Sequence, residues 1–165
     1  MDIPYRAFDG KPETYAYLLE QLRAVLADTE DRTAGLANAA SVFFLLLPKL
    51  NWAGFYLMKD GALVLGPFQG RPACIRIAYG KGVCGTAWKE ERCLRVSDVH
   101  AFPGHIACDA ASRSEIVLPV RSGGRIVAVL DIDSPVKERF TAEDEEVLTA
   151  FAGTIGERAV FPESF

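Results

Sequence analysis

The stretch from Glu115 to Asp133 constrains the fold more than any other. Glu115–Val120 (EIVLPV) and Arg125–Ile132 (RIVAVLDI) are short runs rich in branched residues, joined across Gly123-Gly124. Glycines between two such runs supply the positive φ angles of a tight hairpin. A strand sends alternate side chains to opposite faces, so Leu130 and Ile132 share one face and Asp131 and Asp133 the other. A turn centred on Gly123 sets Glu115 opposite Asp131, and three carboxylates then converge. A one-residue slip would move Glu115 to the other face. Like charges this close repel, so one carboxyl carries a raised pKa. Such a trio suits a cationic substrate group or supplies a general acid. A structural alternative stands beside it: Asp131 and Asp133 end their strand and cap the Ser134-Pro135 turn.

The hairpin sits in a larger pattern. Residues 13–27 and 32–47 carry apolar side chains at helical spacing, and the second run stops at Pro48. Trp52–Met58 and Ala62–Pro67, separated by Lys59-Asp60-Gly61, read as a second hairpin, and Ala73–Ala78 as a further strand. A short helix over Val83–Glu91, a short strand over Cys93–Val96 and a last helix opened by Thr141 complete the order. Residues 98–114 show no period, and a loop this long inside a domain is usually functional. Hairpin-linked strands with helices at both ends point to an α+β domain built on a central, mostly antiparallel sheet. The 165 residues fit one domain, taken as residues 1–165.

Charge excludes several functions. Lys plus Arg number 18 and Asp plus Glu 22, for a net charge of −4, so no basic surplus exists to neutralise phosphates or a membrane surface. Neither a nucleic acid nor a membrane is an expected partner. The longest apolar run, Val42–Pro48, is far short of the ~20 residues of a membrane span. The start lacks the basic-then-apolar order of a signal peptide. A cytoplasmic setting follows, where cysteines rest as thiols.

All four cysteines, Cys74, Cys84, Cys93 and Cys108, fall within 35 residues. Cys84 lies in the first turn of the short helix, where the helix dipole favours a thiolate. Cys108 lies in the long loop among small residues, a position that favours chemistry. Cys74, alternating with Arg76 on its strand, and Cys93, at the start of another, read better as small core residues. His100, His105 and the cysteine spacings match no zinc pattern, so neither metal nor cofactor is expected. Gly80-Lys81-Gly82-Val83-Cys84-Gly85 matches the dinucleotide fingerprint literally, but no second βα unit follows, so it reads as a glycine turn opening a helix. Trp52 and Tyr56 share a strand face with Gly54 between them, consistent with core or with the wall of a small pocket.

Several of these segments together resemble the free methionine-(R)-sulfoxide reductases, which are GAF-domain enzymes. The resemblance is carried by Asn51–Tyr56 (NWAGFY), Leu65–Gly70 (LGPFQG), Gly80–Ala87 (GKGVCGTA), Asp98–His100 (DVH), Gly104–Ala110 (GHIACDA), Ser114–Val117 (SEIV) and Leu130–Ser134 (LDIDS). It spans about residues 13–158 and implies a single GAF domain that reduces the R epimer of free methionine sulfoxide. By motif, it implies Cys108 as nucleophile, Cys84 as the main resolving cysteine and Cys74 as a third that assists recycling. It implies Glu115, Asp131 and Asp133 as substrate-binding carboxylates, and Trp52 and Tyr56 as an aromatic wall. Cys93 falls outside this set. Thioredoxin is the implied reductant, and a homodimer is compatible with the family. The competing expectation is a GAF module that senses a small ligand or redox state without turnover. It leaves the cysteines and the carboxylate trio unexplained.

Overall fold

The computed structural model describes residues 11–27, 29–104, 110–159 and 161. Its elements follow the anticipated order: α1 (Lys11–Ala27), α2 (Arg32–Leu46), β1 (Trp52–Lys59), β2 (Ala62–Gly70), β3 (Arg76–Ile77), α3 (Gly82–Glu90), β4 (Leu94–Val96), β5 (Ser114–Ser122), β6 (Arg125–Ser134) and α4 (Ala142–Arg158). A single 3-10 turn at Val99–Ala101 follows β4. The six strands form one sheet in the order β3-β2-β1-β6-β5-β4, and every neighbouring pair is antiparallel. The fold is α+β with a curled antiparallel sheet, as the hairpin pattern predicts. The third strand is shorter than expected: only Arg76 and Ile77 pair, with Val64 and Leu63.

Strand alternation sorts the core into two layers. Ala53 and Phe55 of β1, Ile116 and Leu118 of β5, and Leu130 and Ile132 of β6 pack against α1, α2 and α4. The other face carries Trp52, Tyr56, Val117 and Val129 and is covered by α3 through Val83, Cys84 and Ala87. Each fully buried Leu, Ile or Phe contributes about 1.5–3 kcal/mol, so the helix-covered face supplies most of the fold's stability. The α3 face supplies the site.

One irregularity decides which face Glu115 joins. At the turn, Ser122 pairs with Arg125 and Arg121 with Ile126. That register, continued, would set Glu115 opposite Ile132, in the helix-packed core. A bulge at Val120/Arg121 leaves Val127 unpaired, so Val120 pairs with Ala128. Beyond it, Glu115 stands opposite Asp133 and Val117 opposite Asp131. The expected pairing of Glu115 with Asp131 is therefore corrected by two residues, while all three carboxylates stay on one face. Helix α4 rests on this bulge. A Cβ at Gly156 would fall 1.9 Å from the Arg121 carbonyl oxygen, so only glycine allows the approach.

Helix α4 begins with a capping box between Thr141 and Asp144. Asp144 is fully buried, and Lys11, Tyr15 and Thr141 donate to its carboxylate, which ties α1 to α4. No helix among the described residues is long and apolar enough to cross a membrane.

Candidate active site

The site lies on the α3 face of the central strands. Strand β6 delivers Asp131 and Asp133, β5 delivers Glu115, and the first turn of α3 delivers Cys84. One atom each of Cys84, Glu115 and Asp131 lie within 4.8 Å of one another, and all three residues are buried. Asp133 is half-buried. Packing allows α3 this close because Gly85 has no side chain: a Cβ there would meet the Ala78 carbonyl at 2.4 Å.

Burial sets the protonation of this cluster. Glu115 is pushed well above the usual carboxylate range, first by desolvation and then by the charges of Asp131 and Asp133. Asp131 is raised to about 7 by desolvation, with hydrogen bonds from Cys84 and Glu115 opposing the rise. Near neutral pH, Glu115 therefore keeps its proton and donates it toward Asp131. Asp131 Oδ1, also buried, has no hydrogen-bond partner among the described residues. A buried carboxylate oxygen without a donor is costly and marks a place where one is to be supplied.

Cys84 departs from expectation. Its position at the start of α3 predicts a thiolate, but burial and the neighbouring carboxylates push the thiol well above its ordinary pKa. Desolvation and negative charge outweigh the dipole of a nine-residue helix. Cys84 is a free thiol and donates to Asp131. Cys74, in contrast, is disulfide-bonded, and its partner lies outside the described residues. Cys93 is a free, half-buried thiol packed on the helix side of the sheet, raised to about 12 mainly by burial.

The aromatic pair is placed by Gly54. A Cβ on Gly54 would fall 2.7 Å from the Trp52 ring and 2.3 Å from Phe68 Cβ, so the space over Gly54 is filled. Trp52 stacks on Phe68 at 5.3 Å and on Tyr56 at 6.0 Å, and its indole N–H donates to the Arg71 carbonyl. Both residues are almost fully buried, yet they border the carboxylates. Burial, then the Asp131 charge, raises the Tyr56 hydroxyl far above its usual pKa, so it remains a hydrogen-bond donor.

Cys84, Glu115 and Asp131 also offer a cation one sulfur and two carboxylate ligands. Metal ligation needs deprotonated ligands. Burial raises all three groups, so a cation bound here would have to displace their protons. Asp98, at dinucleotide spacing from the glycine turn, instead caps the 3-10 turn by accepting from His100 N–H.

Comparisons with known proteins agree with this architecture. A sequence model of the GAF domain matches residues 27–157. The chain is 54% identical over 139 residues to the free methionine-R-sulfoxide reductase of Escherichia coli (strain K12), covering 84% of each. It is 38% identical over 167 residues to that of Saccharomyces cerevisiae, covering 96% of this chain and 93% of the relative. The crystal structure of the Neisseria meningitidis free methionine-R-sulfoxide reductase, in complex with its substrate, superposes with a TM-score of 0.86. That match has 42% identity and covers 92% of this chain and 93% of the other. The chain belongs to the free methionine-R-sulfoxide reductase family of GAF domains.

Of the residues that this family resemblance marks, the structure gathers Cys84, Glu115, Asp131 and Asp133 beside Trp52 and Tyr56. It puts Cys74 just before β3. Cys108, marked as the nucleophile, lies outside the described residues, as does His105. Two features had escaped the sequence reading. One is the bulge that keeps Glu115 with the aspartates. The other is the Cys84 thiol as a donor to Asp131, for which the carboxylates facing α3 were the available signal.

Proposed function

We propose that the protein reduces free L-methionine-(R)-sulfoxide to L-methionine, with Cys108 as nucleophile and the carboxylate cluster as acid and substrate anchor. The observation that carries this reading is the buried Glu115–Asp131 pair with its unpartnered Oδ1. It provides both a protonated acid at neutral pH and an oxygen waiting for a donor. The free methionine-R-sulfoxide reductases at 54% and 38% identity support the same activity.

A sulfoxide sulfur is electrophilic, but oxide is a poor leaving group. The Cys108 thiolate attacks sulfur while a carboxylic acid protonates the oxygen. Glu115 is the best-protonated member of the trio and fits the acid. Attack forms a bond between Cys108 sulfur and the substrate sulfur. The protonated oxygen then leaves the substrate sulfur and adds to Cys108 as hydroxyl while that S–S bond breaks, its electron pair staying on methionine. Methionine thus departs reduced by two electrons, and Cys108 is left as a sulfenic acid. A second thiol condenses with it, releasing water and forming a disulfide. A dithiol, with thioredoxin as the protein reductant, restores both thiols by exchange. Asp131 and Asp133 hold the α-ammonium, which is missing from a residue inside a peptide.

The resolving role fits Cys74 better than Cys84, the reverse of the sequence expectation. Cys74 is the cysteine engaged in a disulfide, whereas the Cys84 thiol is buried, strongly protonated and bonded to Asp131. A thiol held protonated is a slow nucleophile. The chemistry needs reduced thiols, which favours a cytoplasmic setting. A homodimer remains compatible with the family.

The test is a single turnover followed by cycling. The Cys108→Ser variant is expected to release no methionine, and Cys74→Ser to complete one turnover and then stall with thioredoxin. Wild-type protein is expected to ignore N-acetylated sulfoxide. Methionine release by Cys108→Ser, or equal rates on the acetylated substrate, would overturn the assignment.

A further inference from the structure

We infer that the surface around Cys74 is the docking site for an acidic protein dithiol, with Ile75 and Tyr79 as apolar anchors and a cationic rim. This inference rests on the reading of Cys74 as a cysteine recycled by exchange.

Three observations meet at this surface. Cys74 is disulfide-bonded and only half-buried, at the edge of the cluster under α3. Its neighbour Ile75 is 76% exposed and Tyr79 is 55% exposed, among the most exposed large apolar side chains of the described residues. Single exposed apolar residues are common, but two flanking a redox-active sulfur have a use. Tyr79 is not loose: its ring packs edge-on against Trp88 at 4.7 Å, with an interplanar angle of 83°. A pre-positioned aromatic loses little entropy on binding and makes a good anchor. Tyr79 is four positions after Ile75, so their Cα atoms lie at most about 14 Å apart. A typical interface covers about 800 Å² per partner, enough to hold Cys74 and both anchors under one footprint.

Charge selects the partner. The protein as a whole is acidic, at −4. Yet residues 61–89 contain no Asp or Glu, and Arg71, Arg76, Lys81 and Lys89 are all exposed. A cationic rim around an apolar centre complements a partner with acidic surface around an apolar, thiol-bearing patch. Such a rim raises the association rate more than the final affinity.

The exchange balances without further reactants. A thiolate of the dithiol attacks Cys74 Sγ, breaking its disulfide and expelling the other cysteine as a thiolate that takes a proton. The second thiol of the partner then attacks the mixed disulfide and releases Cys74. Two electrons and two protons pass to the protein, and the partner leaves as a disulfide.

The experiment follows disulfide reduction directly, without sulfoxide. Protein oxidised with diamide is mixed with reduced thioredoxin, or separately with dithiothreitol, and thiols are counted against time. Ile75→Asp and Arg76→Glu are each expected to slow reduction by thioredoxin about tenfold, the size of one interfacial anchor. Neither should alter reduction by dithiothreitol, and added salt should slow only the thioredoxin reaction. Wild-type rates with thioredoxin in both variants would overturn the docking site. So would equal slowing with both reductants, because the disulfide itself would then have changed. Methionine sulfoxide turnover with dithiothreitol is measured in parallel. Its absence would sink the proposed activity and leave the docking rates readable.

Discussion

Replacing Asp131 by asparagine is expected to stabilise the protein at alkaline pH while abolishing turnover. The folded state holds Asp131 near pKa 7 against an ordinary 3.8, chiefly because the carboxyl is buried. Between those values the folded protein keeps a proton that the unfolded chain releases, so stability falls as pH rises. A change of about three pKa units at about 1.4 kcal/mol each makes the ionised carboxylate cost the fold about 4 kcal/mol at alkaline pH. About two-thirds of this loss falls between about pH 5 and about pH 8. Asparagine has no such titration. Its amide oxygen can still accept from Glu115 and Cys84, and its NH2 takes the place of the unpartnered Oδ1. Glu115 is raised first by its own burial, which the variant keeps, and then by the Asp131 charge, which the variant removes. Urea unfolding of wild type and the Asp131→Asn variant, reduced with dithiothreitol, reads the difference at both pH values. Wild type should lose about 3 kcal/mol more than the variant between them. Parallel losses would refute the claim that burial, and not a hidden partner, sets this carboxyl.

Two further substitutions test the scaffold. Gly156→Ala forces a methyl into the Arg121 carbonyl and should lower stability by about 1–3 kcal/mol in urea unfolding; an unchanged midpoint would mean that α4 does not rest on the bulge. Asp144→Asn weakens the buried anchor of Lys11, Tyr15 and Thr141. Burial alone would raise Asp144, but those hydrogen bonds outweigh it and hold the carboxyl low, so its contribution is present above its ordinary pKa and lost in acid. The variant should lose about 3–5 kcal/mol at neutral pH, with kcat per folded molecule unchanged. A loss of kcat without a loss of stability would move Asp144 into the site.

The sequence made the hairpin legible because glycine pairs and period-two alternation are local. Gly123-Gly124, and Asp131 and Asp133 on one face, needed only nearest neighbours. The face of Glu115 was right, but its partner was not. The bulge lies where α4 packs against Arg121, a contact between residues far apart in the chain. Cys84 shows the same limit: its helix position is local and favours a thiolate, while the carboxylates facing it arrive from β5 and β6. The packing over Gly54 was illegible for a related reason, since Phe68 comes across from β2 to stack on Trp52. Strand β3 is two residues long, paired with Leu63 and Val64, and beyond them a single bond from Leu65 N–H to the Ile75 carbonyl continues the contact.

The most direct measurement is methionine release from the separated R and S epimers of free methionine sulfoxide, with dithiothreitol as reductant. The account predicts turnover of the R epimer only. No turnover of either epimer by folded, reduced protein would contradict it and leave a GAF module that binds a ligand without converting it.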